Sequence, residues 1–102
     1  MYEIVYLPLA RQDLIGIVSY IADQLYAPQA AEDLLDALDE AIRHLEEFPY
    51  SHRIYRPIRQ LHGEYRAFTV KNYLVFYVVR EEGKKVEIQR VIYRKMDITR
   101  LL

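Results

Sequence analysis

The sequence has no cysteine, only three glycines and four prolines in 102 residues, and no apolar run near the ~20 residues a membrane span needs. Lack of cysteine excludes a disulfide framework, a thiolate metal site and a thiol nucleophile. So little glycine and proline argues against a long disordered linker, and no internal repeat is visible. A Gly-rich phosphate loop, a nucleophile elbow and a paired-carboxylate site are all missing. The amino end, Met1-Tyr2-Glu3, has no basic stretch, so no signal peptide is expected and the cytoplasm is the expected compartment. His44, His52 and His62 have neither an i,i+4 histidine nor a cysteine beside them, so no metal and no cofactor is expected.

What is present fits one soluble domain spanning 1–102. Hydrophobic residues make up 52% and charged residues 28%, enough to bury roughly two-thirds of the unfolded surface of a chain this size. The net charge of −1 conceals a division. Residues 1–50 hold 2 basic and 10 acidic side chains, whereas residues 51–102 hold 12 and 5. A positive local field in the second half is therefore compatible with a pI of 6.3, although that pI is not the basic value of a free nucleic-acid binder.

Tyr2 to Tyr6 is β-prone and reads as a short strand. Pro8 suits the first turn of a helix, where no amide bond is lost. Leu14, Ile17, Val18, Ile21 and Leu25 then recur at helical spacing. Gly16 inside that helix costs about 1 kcal/mol against Ala, which suggests that another backbone comes close. After Ala27-Pro28 a second stripe runs through Ala31, Leu34, Leu35, Leu38, Ala41, Ile42, Leu45 and Phe48, with acidic residues opposite and Pro49 as the stop. The short break makes the two helices an antiparallel hairpin. Residues 49–64 read as an irregular connection. Tyr65 to Val70, Asn72 to Val79 and Val86 to Tyr93 read as a meander turned at Lys71-Asn72 and at Glu81-Glu82-Gly83-Lys84. The expected fold is thus α/β in two layers (α+β): an antiparallel helical hairpin packed on an antiparallel sheet of about four strands.

Strand alternation places Arg66, Phe68, Val70, Leu74, Phe76, Arg90, Ile92 and Arg94 on one face of the meander. Tyr65, Ala67, Thr69, Tyr73, Val75, Tyr77, Val79, Val91 and Tyr93 fall on the other. Two helices cover one face, so the second is expected to stand open as an apolar, arginine-rimmed patch for a partner. A connection at 50–64 folded over that face is the competing expectation.

Several segments resemble the RelE/ParE superfamily of toxins from type II toxin–antitoxin systems. They are Asp13-Leu14…Ile17…Tyr20-Ile21, Leu45…Phe48-Pro49, Tyr65-Arg66, Asn72-Tyr73-Leu74-Val75-Phe76-Tyr77 and Arg90-Val91-Ile92-Tyr93-Arg94-Lys95-Met96-Asp97. The resemblance covers nearly the whole chain. It implies a growth-inhibiting cytoplasmic toxin neutralised by a cognate antitoxin protein; a homodimer of the chain itself is a further expected assembly. It also implies one of two targets: messenger RNA in the ribosome, cut by RelE-like members, or DNA gyrase, bound by ParE-like members.

RelE-like proteins are similar to this chain at Arg66 and Arg94. Phe68 stands where they usually have lysine, Leu74 where they usually have arginine, and no tyrosine lies near Arg100, leaving Tyr93 as the nearest substitute. Metal-independent RNA cleavage needs a base, an acid and cations around the phosphorane. In that alternative Arg66 and Arg94 would hold phosphates, and Tyr93, His52 or His62 would move protons. The Asn72–Tyr77 strand and the Asp97-containing ending look more like the gyrase-binding branch, although that branch often has arginine at Met96 and histidine at Tyr93. Gyrase binding is the favoured reading, and an inactive binding module is the third. The residues expected to meet target or antitoxin are Arg66, Phe68, Leu74, Phe76, Arg90, Ile92, Arg94 and Lys95.

Overall fold

The computed structural model describes residues 1–55 and 64–96. Strand β1 (Glu3–Tyr6) runs into helix α1 (Pro8–Ser19), which continues through a π-helical turn at Tyr20–Gln24. Helix α2 (Pro28–Arg43) returns and tightens into a 3₁₀ turn at His44–Glu46. Strands β2 (Arg66–Val70), β3 (Tyr73–Arg80) and β4 (Lys85–Tyr93) form the meander. Proline opens both helices, at a position whose missing N–H costs no intrahelical bond.

The sheet has four strands in the order β1-β4-β3-β2. The meander is antiparallel, while β1 lies parallel to β4, with Glu3 opposite Lys85 and Tyr6 opposite Ile88. The sheet is therefore mixed. Its parallel pair joins segments about eighty residues apart, and no local pattern encodes that pairing.

Helix α2 supplies the strongest burial. Ala31, Leu34, Leu38, Ile42 and Leu45 are each no more than 3% exposed. Burying a Leu or Ile side chain fully stabilises by about 1.5–3 kcal/mol, so this stripe holds the helix to the sheet. The face it covers carries Phe68, Val70, Val75, Tyr77, Val86, Ile88 and Val91. The stripe ends sooner on its flank and at its carboxyl end than helical spacing implies, because Leu35 and Phe48 are 39% and 52% exposed.

Two expectations about the sheet faces are corrected. The two-residue turn at Lys71-Asn72 pairs Val70 with Tyr73, Phe68 with Val75 and Arg66 with Tyr77. Directly opposed residues share a face, so odd and even positions exchange across this turn. Arg66, Phe68 and Val70 consequently lie on the helix side with Tyr73, Val75 and Tyr77. Leu74, Phe76, Arg90 and Ile92 do stay together, through the pairs Leu74–Ile92 and Phe76–Arg90. A bulge between Phe76 and Tyr77 shifts the register beyond that point.

The second correction concerns the far face. It is not an open apolar platform: Phe76 is fully buried, and Val78 and Ile92 are only 3% and 4% exposed. Tyr55, from the connection after α2, stands edge-on to Phe76 with ring centroids 5.1 Å apart. Ile54 bridges to Arg66, and the Ala67 N–H donates to the Arg53 carbonyl at 3.2 Å, so the connection also occupies part of the free edge of β2. His62 and Asp97 lie outside the described residues.

Candidate functional site

The hairpin and the sheet meet at two ends with different chemistry. At one end Arg66 opens β2. Its guanidinium donates to the His52 carbonyl at 2.8 Å and sits 4.9 Å from the centre of the Tyr50 ring. The Tyr50 hydroxyl donates to Glu81, which also accepts from Tyr2 at 2.6 Å and from the Lys84 ammonium at 2.9 Å. These three donors pull the Glu81 carboxyl down to about 2, and the same carboxylate pushes the Tyr50 hydroxyl up to about 12. His52 stacks on Phe68 at 4.3 Å, and burial, with His44 nearby, lowers its pKa below 6.5. This end is a brace of mutually satisfied groups.

The opposite end gathers tyrosines and cations. Tyr73 and Tyr93 are cross-strand partners with ring centroids 5.7 Å apart, edge to face. Burial raises the Tyr73 pKa, and Tyr93 and then Tyr20 add to the shift, so Tyr20 in the π-helical turn lies within electrostatic reach of Tyr73. The Arg94 N–H donates to the Asn72 carbonyl at 2.9 Å, which sets Arg94 and Lys95 beside the Lys71-Asn72 turn. Lys71, Arg94, Lys95 and Met96 are exposed, and none of the three cations has an ion-pair partner among the described residues. An exposed surface of tyrosine, methionine and unpaired cations has the composition of a protein-binding site.

Between the ends, Arg90 is committed to Asp13 of α1, donating from Nε at 2.7 Å and from a terminal nitrogen at 2.9 Å. The Val91 N–H donates to the same carboxylate at 2.9 Å. Strand β1 stops pairing at Ile88, so Asp13 takes the place of a strand neighbour on the bare edge of β4.

The residues expected at the site therefore divide. Arg94, Lys95 and Tyr93 sit together on the surface. Phe68 is core, Phe76 and Ile92 are buried, and Leu74 is half-buried on the far face. Arg66 is separated from Tyr93 by the length of β2, about 13 Å, and by two strand spacings, about 10 Å. Tyr20 and Lys71 are the members that sequence reasoning missed. The signal for Lys71 was its place in a two-residue turn next to a cross-strand tyrosine pair. For Tyr20 no local signal existed, because a tertiary fold brings it to the sheet. Among the described residues no group of three His, Cys, Asp or Glu side chains could hold a metal, and no helix is long and apolar enough to cross a membrane.

Comparison with known proteins is consistent with this geometry. The family model of the ParE toxin of type II toxin–antitoxin system, parDE, matches residues 4–98. A solved structure of a chromosomal ParDE toxin–antitoxin system from P. aeruginosa superimposes with a TM-score of 0.71 at 21% identity, over 91% of this chain and 96% of that one. The toxin–antitoxin complex RelBE2 from Mycobacterium tuberculosis gives 0.62 at 22% identity, over 91% and 98%. No curated protein matches.

Proposed function

The chain belongs to the ParE toxin family of type II toxin–antitoxin systems, and from that premise we propose that it arrests growth by binding DNA gyrase in the cytoplasm, without cutting RNA. A cognate antitoxin neutralises it. The observation that carries this reading is the separation of Arg66 from Tyr93 and Arg94. A cleavage site needs phosphate-holding cations and a proton-moving group around one phosphorane. Here one arginine is fixed in a brace at one end of the sheet, and the tyrosine and second arginine sit at the other. The end bearing Tyr20, Tyr73, Tyr93, Lys71, Arg94 and Lys95 suits an acidic protein surface, with rings giving area and cations giving register.

The test is induction of the chain without antitoxin, with messenger RNA ends mapped and plasmid supercoiling followed in parallel. The expected result is growth arrest with intact RNA, together with inhibition of supercoiling by purified gyrase that Arg94→Ala relieves. Codon-phased RNA cuts that vanish in Arg94→Ala would show the chain to be a ribosome-dependent nuclease instead. Unimpaired growth would leave only a binding module.

A further inference from the structure

The connection between the two helices takes an unfavourable backbone course at one residue. The chain leaves the π-helical turn through Leu25 and Tyr26, with the Leu25 N–H donating to the Tyr20 carbonyl and the Ala27 N–H to the Ile21 carbonyl, both at 3.1 Å. Tyr26 has a φ of +52°, in the left-handed region. Helices that exit through such a residue usually place glycine there, because a Cβ crowds the neighbouring carbonyl oxygen, and a bulky aromatic is a marked exception. Lys71 and Lys84 share the left-handed conformation, but they sit in the tight turns of the meander, where hairpin geometry favours it. Packing within the chain does not offset the strain at Tyr26, whose side chain stands free: the residue is 88% exposed.

We propose that Tyr26 is an anchor that the toxin inserts into an apolar pocket of its acidic target, gyrase in the reading above, beside the contacts made by Tyr93, Lys71, Arg94 and Lys95. The inference rests on that reading and extends the target surface to a residue outside the sheet. Direction supports it. Asp13 ties α1 to Arg90 and Val91, and Tyr20 lies within electrostatic reach of Tyr73, the cross-strand partner of Tyr93. The helical rise from Asp13 to Tyr20 and the strand rise from Arg90 to Tyr93 are both about 10 Å, so α1 runs alongside β4 in the same sense. Its continuation carries Leu25 and Tyr26 past the end of β4, on the side of Arg94 and Lys95. Composition supports it too. Residues 24–31 hold no charged side chain, between Asp23 and Glu32, in a half of the chain that is otherwise acidic. Leu25 flanks the tyrosine and is itself 53% exposed. An uncharged aromatic knob with cations beside it has the anatomy of an interface centre and its rim, and the cations suit an acidic partner. Backbone strain that no internal contact repays is the kind held at functional sites.

The experiment compares wild type, Tyr26→Gly and Tyr26→Asn. Each is measured for inhibition of supercoiling by purified gyrase, for thermal unfolding of the free chain, for sedimentation, and for affinity to the purified antitoxin encoded beside it. Both variants lack the ring and tolerate the left-handed backbone. Both are therefore expected to lose about tenfold or more in inhibition, with a melting temperature at or above wild type, which a folding defect would not give. A smaller loss in either variant overturns the inference and leaves the gyrase reading intact; if antitoxin affinity falls instead, the ring belongs under the antitoxin. A clearly lower melting temperature in both variants also overturns it, because the ring would then pack within the chain. So does a wild-type dimer that the variants dissociate, since the occupant is then a second copy. A wild-type chain that leaves supercoiling untouched overturns the gyrase reading and the inference with it.

Discussion

Arg90 and Asp13 form a two-point ion pair, at 2.7 and 2.9 Å, that ties the far half of β4 to the middle of α1. Their side chains are only 14% and 15% exposed, and the carboxylate also accepts the Val91 N–H. Removing one partner leaves the other half-desolvated, and the edge amide loses its acceptor. Asp13→Ala is expected to cost roughly 2–4 kcal/mol, at or below the range for fully buried pairs. Asp13→Asn should cost less, because an amide oxygen can still accept from Val91. Urea unfolding of both variants checks this, and a loss under about 0.5 kcal/mol for Asp13→Ala would put the tie at surface-pair strength.

The brace around Glu81 should mark the acid side of the stability profile. Its carboxyl is lowered from 4.5 to about 2 by the Tyr2, Tyr50 and Lys84 donors. A folded-state pKa below the unfolded one gives stability that is present above pH 4.5 and lost as pH falls through about 2. The Tyr50 hydroxyl, raised to about 12, works in the other direction: its share is present below pH 10 and lost as pH rises through about 12. The cluster is exposed, so solvent damps both effects. Glu81→Gln is expected to flatten the stability profile between pH 4.5 and 2 and to return Tyr50 towards 10. Urea midpoints against pH and an ultraviolet tyrosine titration read the two changes. An unchanged acid limb in the variant would show that Glu81 is not held this way.

Where sequence and structure agree, a periodic signal faced a single large surface. The α2 stripe from Ala31 to Leu45 names its own buried side, and the turns at Lys71-Asn72 and Glu81–Lys84 announce themselves, with positive φ at Lys71, Gly83 and Lys84. Where they part, the missing information lay between elements. Phe68 alternates correctly within β2, but its face depends on the turn pairing Val70 with Tyr73. The parallel partner of β1 is a tertiary choice. Arg66 and Arg94 look equivalent as strand-end arginines, and only register shows that they occupy opposite ends. In α1 the expected stripe keeps Leu14, Ile17, Val18 and Ile21 half-buried, but Leu25 is 53% exposed, because the π-helical turn at Tyr20–Gln24 breaks the 3.6-residue spacing that placed it there.

Gly16 gives a test confined to the free chain. Among the described residues an added methyl meets no atom within 4 Å beyond its own stretch of helix, and φ at this position is helical, so alanine introduces no strain. Gly16→Ala is expected to stabilise the isolated chain by about 0.5–1 kcal/mol through helix propensity alone. Chemical denaturation measures it. A destabilised variant would mean that some group within the chain does occupy the space over α1.

Arg66 and Arg94 should separate stability from function. Arg66 is part-buried, with a hydrogen bond to the His52 carbonyl and the Tyr50 ring beneath it. Losing both contacts in Arg66→Ala should cost roughly 1–2 kcal/mol. Arg94 is exposed, its backbone N–H already serves Asn72, and its side chain has no ion pair among the described residues. Arg94→Ala is expected to leave stability within about 0.5 kcal/mol while weakening inhibition of gyrase about tenfold or more. Melting curves and supercoiling assays on the same two preparations decide it. If Arg66→Ala were as stable as wild type yet inactive, Arg66 would be a contact residue, and the brace would have been assigned the wrong role.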